Sequence, residues 1–347
     1  MFSPMLSVLL LPFLAAMFLA INMGGSGTAP SFAAAYGARL VRREQIAGLF
    51  GLFVFAGALI AGKKVVVTVG RGIVPEDIMG ITLTTIILVS VGLSLLLANL
   101  LRVPQSTSQA TVCGLVGPAT YFGVLKTDKL LFEIIPMWLV LPVVSFAVTY
   151  ALGRLLYRRF NQDASSWSRR AAGHPATRAV VLAASCYVAF AIGSNNVANA
   201  SGPILAMSLG QLGSALEGAD LTLLMILATL VIAPCFAIGS SLMGSRVVGT
   251  TGREIVEFGP LGGTLIAVVT ATLLLVASVS RGIPTSLVQM NTGAIMAIGI
   301  VKEGWGPILR RTSVRKLFTV WVVAPLMALG IAFVVTALAD RLGLLGV

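Results

Sequence analysis

Two stretches of this chain place hydroxyl and amide side chains directly behind a proline, inside otherwise apolar sequence. In the first, Pro104 is followed by Gln105, Ser106, Thr107, Ser108, Gln109 and Thr111. In the second, Pro284 is followed by Thr285, Ser286, Gln289, Asn291 and Thr292. Proline is tolerated at a helix start because its missing N–H would be unpaired there anyway. The hydroxyls and free backbone N–H groups that follow can surround a tetrahedral oxyanion. The plainer alternative is that each hydroxyl bonds back to its own helix. Two further stretches, Asn22–Ala35 and Gly193–Ala206, set Gly, Ser, Asn and Pro behind an apolar half-span. In the second of these, GSNNVANASGP brings Asn195, Asn196 and Asn199 within one or two helical turns. Such clusters are poor helix interior and good helix starts. Each stretch is therefore expected to break one helix and open another, whose positive dipole end favours an anion. Simple gluing of helices by small and amide residues is the alternative.

The elements that must position these groups are written for a lipid solvent. Of 347 residues, 57% are hydrophobic and only 10% charged, against about a quarter charged in a soluble domain. Apolar runs near span length fall at 5–21, 45–62, 80–101, 110–125, 131–153, 177–193, 220–243, 259–280, 288–301 and 317–338. They predict an all-α polytopic membrane protein of about ten helices. The runs at 110–125 and 288–301 are short, as expected of broken or re-entrant transporter helices. The first run lacks the basic n-region of a secretory signal. The net charge of +12 is spread over short loops, so it implies no nucleic-acid partner. Loops around Arg39–Arg43, 154–178, 246–253 and 302–316 carry most of the Lys and Arg. These predict a cytoplasmic side, with both termini outside a bacterial plasma membrane. The excess meets anionic headgroups of the lipid bilayer. Cys113, Cys186 and Cys235 sit singly in apolar sequence and read as buried packing residues. The single His174 lies in the Arg-rich linker, and no metal set, cofactor site or P-loop is present.

The chain also repeats itself at a period of roughly 180 residues. KKVVVTVGRGIV at 63–74 matches SRVVGTTGREIV at 245–256, and VPQSTSQATVCG at 103–114 matches IPTSLVQMNTGA at 283–294. WLVLP at 138–142 matches WVVAP at 321–325, and MGGSGTAPSFA at 23–33 matches IGSNNVANASG at 192–202. The order is the same in both halves. Boundaries follow: a first repeat over 1–157, a basic cytoplasmic linker over 158–176, and a second repeat over 177–347. Five apolar runs per repeat make the second copy enter from the opposite face. Inverted repeats of this kind are built around a midplane site. A membrane enzyme would need intramembrane carboxylates, histidines or metal ligands, which are missing.

These blocks resemble the inorganic phosphate transporter (PiT) family, which carries two GANDVANA-like signatures. GSNNVANASGP is a close match. GGSGTAPSFAAAYG is diverged, and with LANLLRVPQSTSQATVCG it is similar to the sulfate permease branch. The resemblance implies an inverted-repeat secondary transporter. The anion would be held by Ser106, Thr107, Ser108, Thr285 and Ser286, with Gln105 and Gln289 beside them. Asn22, Ser26, Asn195, Asn196 and Asn199 would line the site or hold the coupling cation. Where phosphate-carrying members have an aspartate in each signature, this chain has Gly27 and Asn196, and Pro30 replaces an asparagine. A site without carboxylates suits sulfate, which carries no proton at neutral pH, better than phosphate, which does. Their loss also weakens the case for sodium, and the branch implies proton coupling. The acidic residues inside the apolar runs are Glu133 and, at the first position of another run, Asp220. Glu133 is the candidate proton carrier. Phosphate as cargo, other tetrahedral oxyanions, a channel, and a homodimeric assembly stay open at this stage.

Overall fold

The apolar runs fold as helices because a bilayer leaves each backbone N–H and C=O no partner outside its own segment. The computed structural model describes residues 4–37, 39–101, 105–160, 174–212, 219–244 and 259–345. In the first half lie α1 (Pro4–Gly37), α2 (Arg43–Ala61), a short α3 (Lys63–Arg71), α4 (Ile81–Leu100), α5 (Thr107–Tyr121) and α6 (Ile135–Phe160). The second half has α7 (Pro175–Asn196), α8 (Ala198–Leu212), α9 (Ala219–Gly239), α10 (Gly259–Arg281), α11 (Leu287–Glu303) and α12 (Thr312–Arg341). No strand occurs among the described residues. Among the described residues, eight helical segments are long and apolar enough to cross a membrane. The remaining two apolar runs became α5 and α11, of 15 and 17 residues, the two short elements anticipated. Residues 161–173 of the linker, Pro104, the repeat block at 245–256 and several loop arginines lie outside the described residues.

Packing is reciprocal between the halves. Helix α5 lies on α12, while α11 lies on α6. Helix α2 lies on α7, while α9 lies on α1. Within each half, α1 pairs with α4 and α7 with α10. The exchanged contacts require glycine. A Cβ at Gly57 would collide with the Phe190 carbonyl, and one at Gly193 with the Val54 carbonyl. At the counterpart crossing, Gly24 meets the Phe236 carbonyl and Gly239 meets Ile21. Lipid gives helices no hydrophobic reason to associate, so this backbone-level approach is what holds them. The hydrophobic share inside the molecule differs sharply. In the most apolar stretch of Thr127–Leu156 11% of the residues are buried, against 56% in that of Leu10–Gly37. Helix α6 is therefore peripheral and α1 central.

The expected helix breaks are corrected. Helix α1 runs unbroken through Asn22–Ala35. The hydroxyls of Ser26, Thr28 and Ser31 donate to the carbonyls of Met23, Gly24 and Gly27, so they serve the helix rather than interrupt it. In the second copy the interruption is the single residue Val197. The carbonyl of Val197 still accepts from the N–H groups of Ala200 and Ser201, at 3.1 and 3.0 Å.

Candidate functional site

The two hydroxyl-rich stretches become matched helix starts. Ser106 caps α5, its hydroxyl accepting the Gln109 N–H at 3.2 Å, and Ser286 caps α11 in the same way on Gln289 at 3.3 Å. Pro284 stands two residues before its cap rather than at the first helical position. Its carbonyl is anchored by the Trp138 indole N–H at 2.9 Å. The side chains of Gln109 and Gln289 meet in a reciprocal amide pair, each donating to the other's carbonyl oxygen, at 3.1 and 3.2 Å. The N-terminal turns of α5 and α11 are thereby joined.

The asparagines of the second signature complete the cluster. Asn195 Nδ2 donates to Ser278 Oγ and the Ile283 carbonyl, at 2.9 and 3.0 Å, while its Oδ1 accepts the Thr285 N–H at 3.1 Å. Ser108 donates to Asn195 Oδ1 at 3.3 Å and accepts from Asn199 Nδ2 at 3.2 Å. Asn196 Nδ2 donates to Thr107 Oγ1 at 3.1 Å. Thus Ser108, Thr285, Asn195 and Asn199 form one hydrogen-bonded network, with the Thr107–Asn196 pair at the adjoining chain positions.

The first signature contributes differently. Asn22 donates to Phe18 of its own helix, and Asn99 of α4 donates to the Asn22 carbonyl at 3.0 Å. Ser26 is committed to Met23. Gln105 donates to Ser94 of α4 at 2.8 Å. Gly27 packs against the Phe50 ring and Ile192, in an apolar contact. Sequence reasoning did not single out Asn99, Ser94 or Ser278, which sit inside apolar helices, nor place Gln109 among the anion residues. Trp138 was visible only as part of a repeated WLVLP block.

Every residue of the cluster is buried, from 0% exposed at Asn195 and Asn199 to 6% at Thr107, Asn196 and Gln289. No Asp, Glu, Lys, Arg or His is buried among the described residues, so the only fixed charges are the helix dipoles. Four oxygens here have no partner: Gln105 Oε1, Asn196 Oδ1, Asn199 Oδ1 and Thr285 Oγ1. Unmet buried polar groups cost free energy, so such a cluster is poised for a ligand. A turn of an amide about its last bond exchanges donor for acceptor. Because Thr107 can donate as well as accept, Asn196 can offer a ligand either a carbonyl or an N–H. Glu133 lies apart, half-exposed in the π-helical turn Leu130–Ile134 that leads into α6. No cluster of metal-ligating residues occurs among the described residues.

The phosphate transporter family model matches residues 23–332. A sulfate permease, CysP of Bacillus subtilis, is 34% identical over 93% of this chain and 85% of its own. A putative phosphate permease of Pyrococcus furiosus is 26% identical over 85% of this chain and 88% of its own. The solved structure of a sodium-dependent phosphate transporter superposes with a TM-score of 0.81, at 20% identity, over 96% of this chain and 99% of that one. That likeness carries the fold, and the family match carries the kinship. With eight helical segments among the described residues long and apolar enough to cross a membrane, the chain is a multi-pass membrane protein that belongs to the phosphate transporter family.

Proposed function

We propose that the protein is a secondary transporter that imports sulfate across the bacterial plasma membrane. The observation that carries this reading is a buried, carboxylate-free cluster at two Ser-capped helix N-termini. A divalent anion in a low-dielectric site is repelled strongly by any fixed negative charge. It is stabilised by N–H groups at helix starts without needing a cationic side chain. Sulfate carries no proton at neutral pH and needs donors only. Hydrogen phosphate also brings a donor, which a site lacking carboxylates accepts less well. The kinship with a sulfate permease supports the same choice.

The two halves, 1–157 and 177–347, act as inverted repeats around this site, with termini outside and the basic loops in the cytoplasm. The reciprocal packing of α5 on α12 and α11 on α6 supports that arrangement. The buried state of the whole cluster fits an occluded step of alternating access. The coupling ion has two readings. Proton symport agrees with the resemblance to sulfate permeases, and Glu133 is its acidic candidate. Sodium is favoured by a separate observation, the unpartnered carbonyl oxygens of Asn196 and Asn199, since hard cations take neutral oxygen ligands.

The test is radiolabelled sulfate uptake into proteoliposomes, with an imposed pH or sodium gradient and with phosphate as competitor. Gradient-driven sulfate uptake that excess phosphate barely inhibits is expected. Phosphate competition equal to that of unlabelled sulfate would overturn the choice of cargo. Flux indifferent to both gradients would mark a channel.

A further inference from the structure

Helices α5 and α11 begin with the same pattern, Ser-x-x-Gln: Ser106 to Gln109 and Ser286 to Gln289. In a capping box the glutamine at this position reaches back to the backbone N–H of its own cap residue. At the start of α2 the glutamine does so, Gln45 Oε1 accepting the Arg42 N–H at 2.9 Å. Gln109 and Gln289 do otherwise. The serine half of each box is made, but both glutamine side chains turn away and bond to each other across 180 residues of sequence. Among the described residues no hydrogen bond takes the N–H of Ser106 or Ser286. Each amide in the pair uses one N–H and one lone pair, leaving one of each outside it.

We infer that Gln109 and Gln289 form a charge-neutral amide latch that sets the specificity of the anion site. Resting on the sulfate reading above, the latch does three things. It ties the two helix starts together at the distance the anion bridges. It withholds both glutamines from their own capping boxes, so the cap N–H groups remain for the anion. It keeps the site free of titrating groups, so sulfate binds alike across the physiological pH range. No neighbouring charge does this work. On α5, α11 and the helices packed against them, the charged residues whose side chains are described are Arg154, Arg281, Lys302, Glu303, Asp340 and Arg341, and none is buried. Glu133, on the π-turn before α6, is half-exposed. Cys113 and Tyr121 are the other titratable groups on α5 itself, and Tyr121 is engaged with Asp340.

The test is equilibrium binding of radiolabelled sulfate to the full-length protein in nanodiscs, from pH 5.5 to pH 8.5. Gln109→Glu keeps the shape of the amide. As a carboxylate it can only accept and it repels the anion. Once protonated it donates and accepts like the amide it replaced. Burial makes a carboxyl hold its proton to higher pH. Affinity relative to the unmodified protein is expected to be about tenfold weaker at pH 8.5 and to recover to within about twofold at pH 5.5. Gln289→Glu should trace the same profile, because the pair is reciprocal. A ratio that stays flat with pH in both variants would overturn the latch. Gln109→Leu with Gln289→Leu fills the same space without hydrogen bonds and is expected to bind weakly at every pH. Full sulfate affinity in that double variant would also overturn it. If the unmodified protein binds no sulfate at all, the cargo assignment fails instead, a result separate from either of these.

Discussion

Asn195 holds Thr285 in place within the second half: its Oδ1 accepts the Thr285 backbone N–H at 3.1 Å, while its Nδ2 donates to Ile283 and Ser278. One side chain of α7 thus fixes the chain leading into α11. Its removal in Asn195→Ala leaves the Thr285 N–H and the Ile283 carbonyl buried without partners, at about 1–3 kcal/mol for each. The variant is expected to unfold several degrees earlier in nanodiscs and to lose sulfate uptake. Unchanged thermal stability would show that the tie is dispensable.

The cap serines separate folding from binding. Ser106→Ala or Ser286→Ala should each cost about 1 kcal/mol through the lost cap. Ser106→Asp restores a cap oxygen, so stability should return towards that of the unmodified protein. Sulfate binding should not, because a carboxylate now faces a divalent anion. Paired melting curves and binding isotherms read the two effects apart. Recovery of both would place the anion elsewhere.

Asn196 is the signature position where charge can be added without disturbing apolar packing. Asn196→Asp keeps an oxygen beside Thr107 and gives the cluster an acceptor for the proton of hydrogen phosphate. The expected outcome in competition uptake is weaker sulfate transport, with phosphate inhibition rising by about tenfold. Position 27 offers no such experiment, since a side chain there would press on Phe50.

The exchanged helix crossings make a further demand. Gly57→Ala and Gly193→Ala each push a methyl group into a facing backbone carbonyl. Overpacking of this kind costs about 1–3 kcal/mol, so both should reduce the monodisperse fraction on size-exclusion chromatography. Gly48→Ala, with open space around it, is the control and should behave like the unmodified protein.

Much of the fold was legible because membrane solvation acts locally. Each apolar run announces a helix, and the short runs at 110–125 and 288–301 correctly marked α5 and α11 as the odd elements. The site was legible in its residue types and less so in its connections. The helix starts were visible from the prolines of the two stretches, but that Ser106 and Ser286 are their capping residues came only with the structure. The break expected at Asn22–Ala35 failed because hydroxyls within α1 found their own helix carbonyls. A local composition cannot reveal which of two partners a serine chooses.

The sequence by itself determined that this is an all-helical membrane protein, and that two hydroxyl-rich helix starts stand in apolar surroundings without carboxylates. These follow from short-range rules of burial, helix ends and charge. Only the tertiary structure decided that Gln109 turns from its own cap to Gln289, that Asn195 reaches Thr285, and that Gln105 and Ser26 face other partners. Those hydrogen bonds join groups that are far apart in sequence or that have several equivalent local options. Their choice is made by the packing of glycine-lined helices against one another, which sets the distances over which an amide can reach.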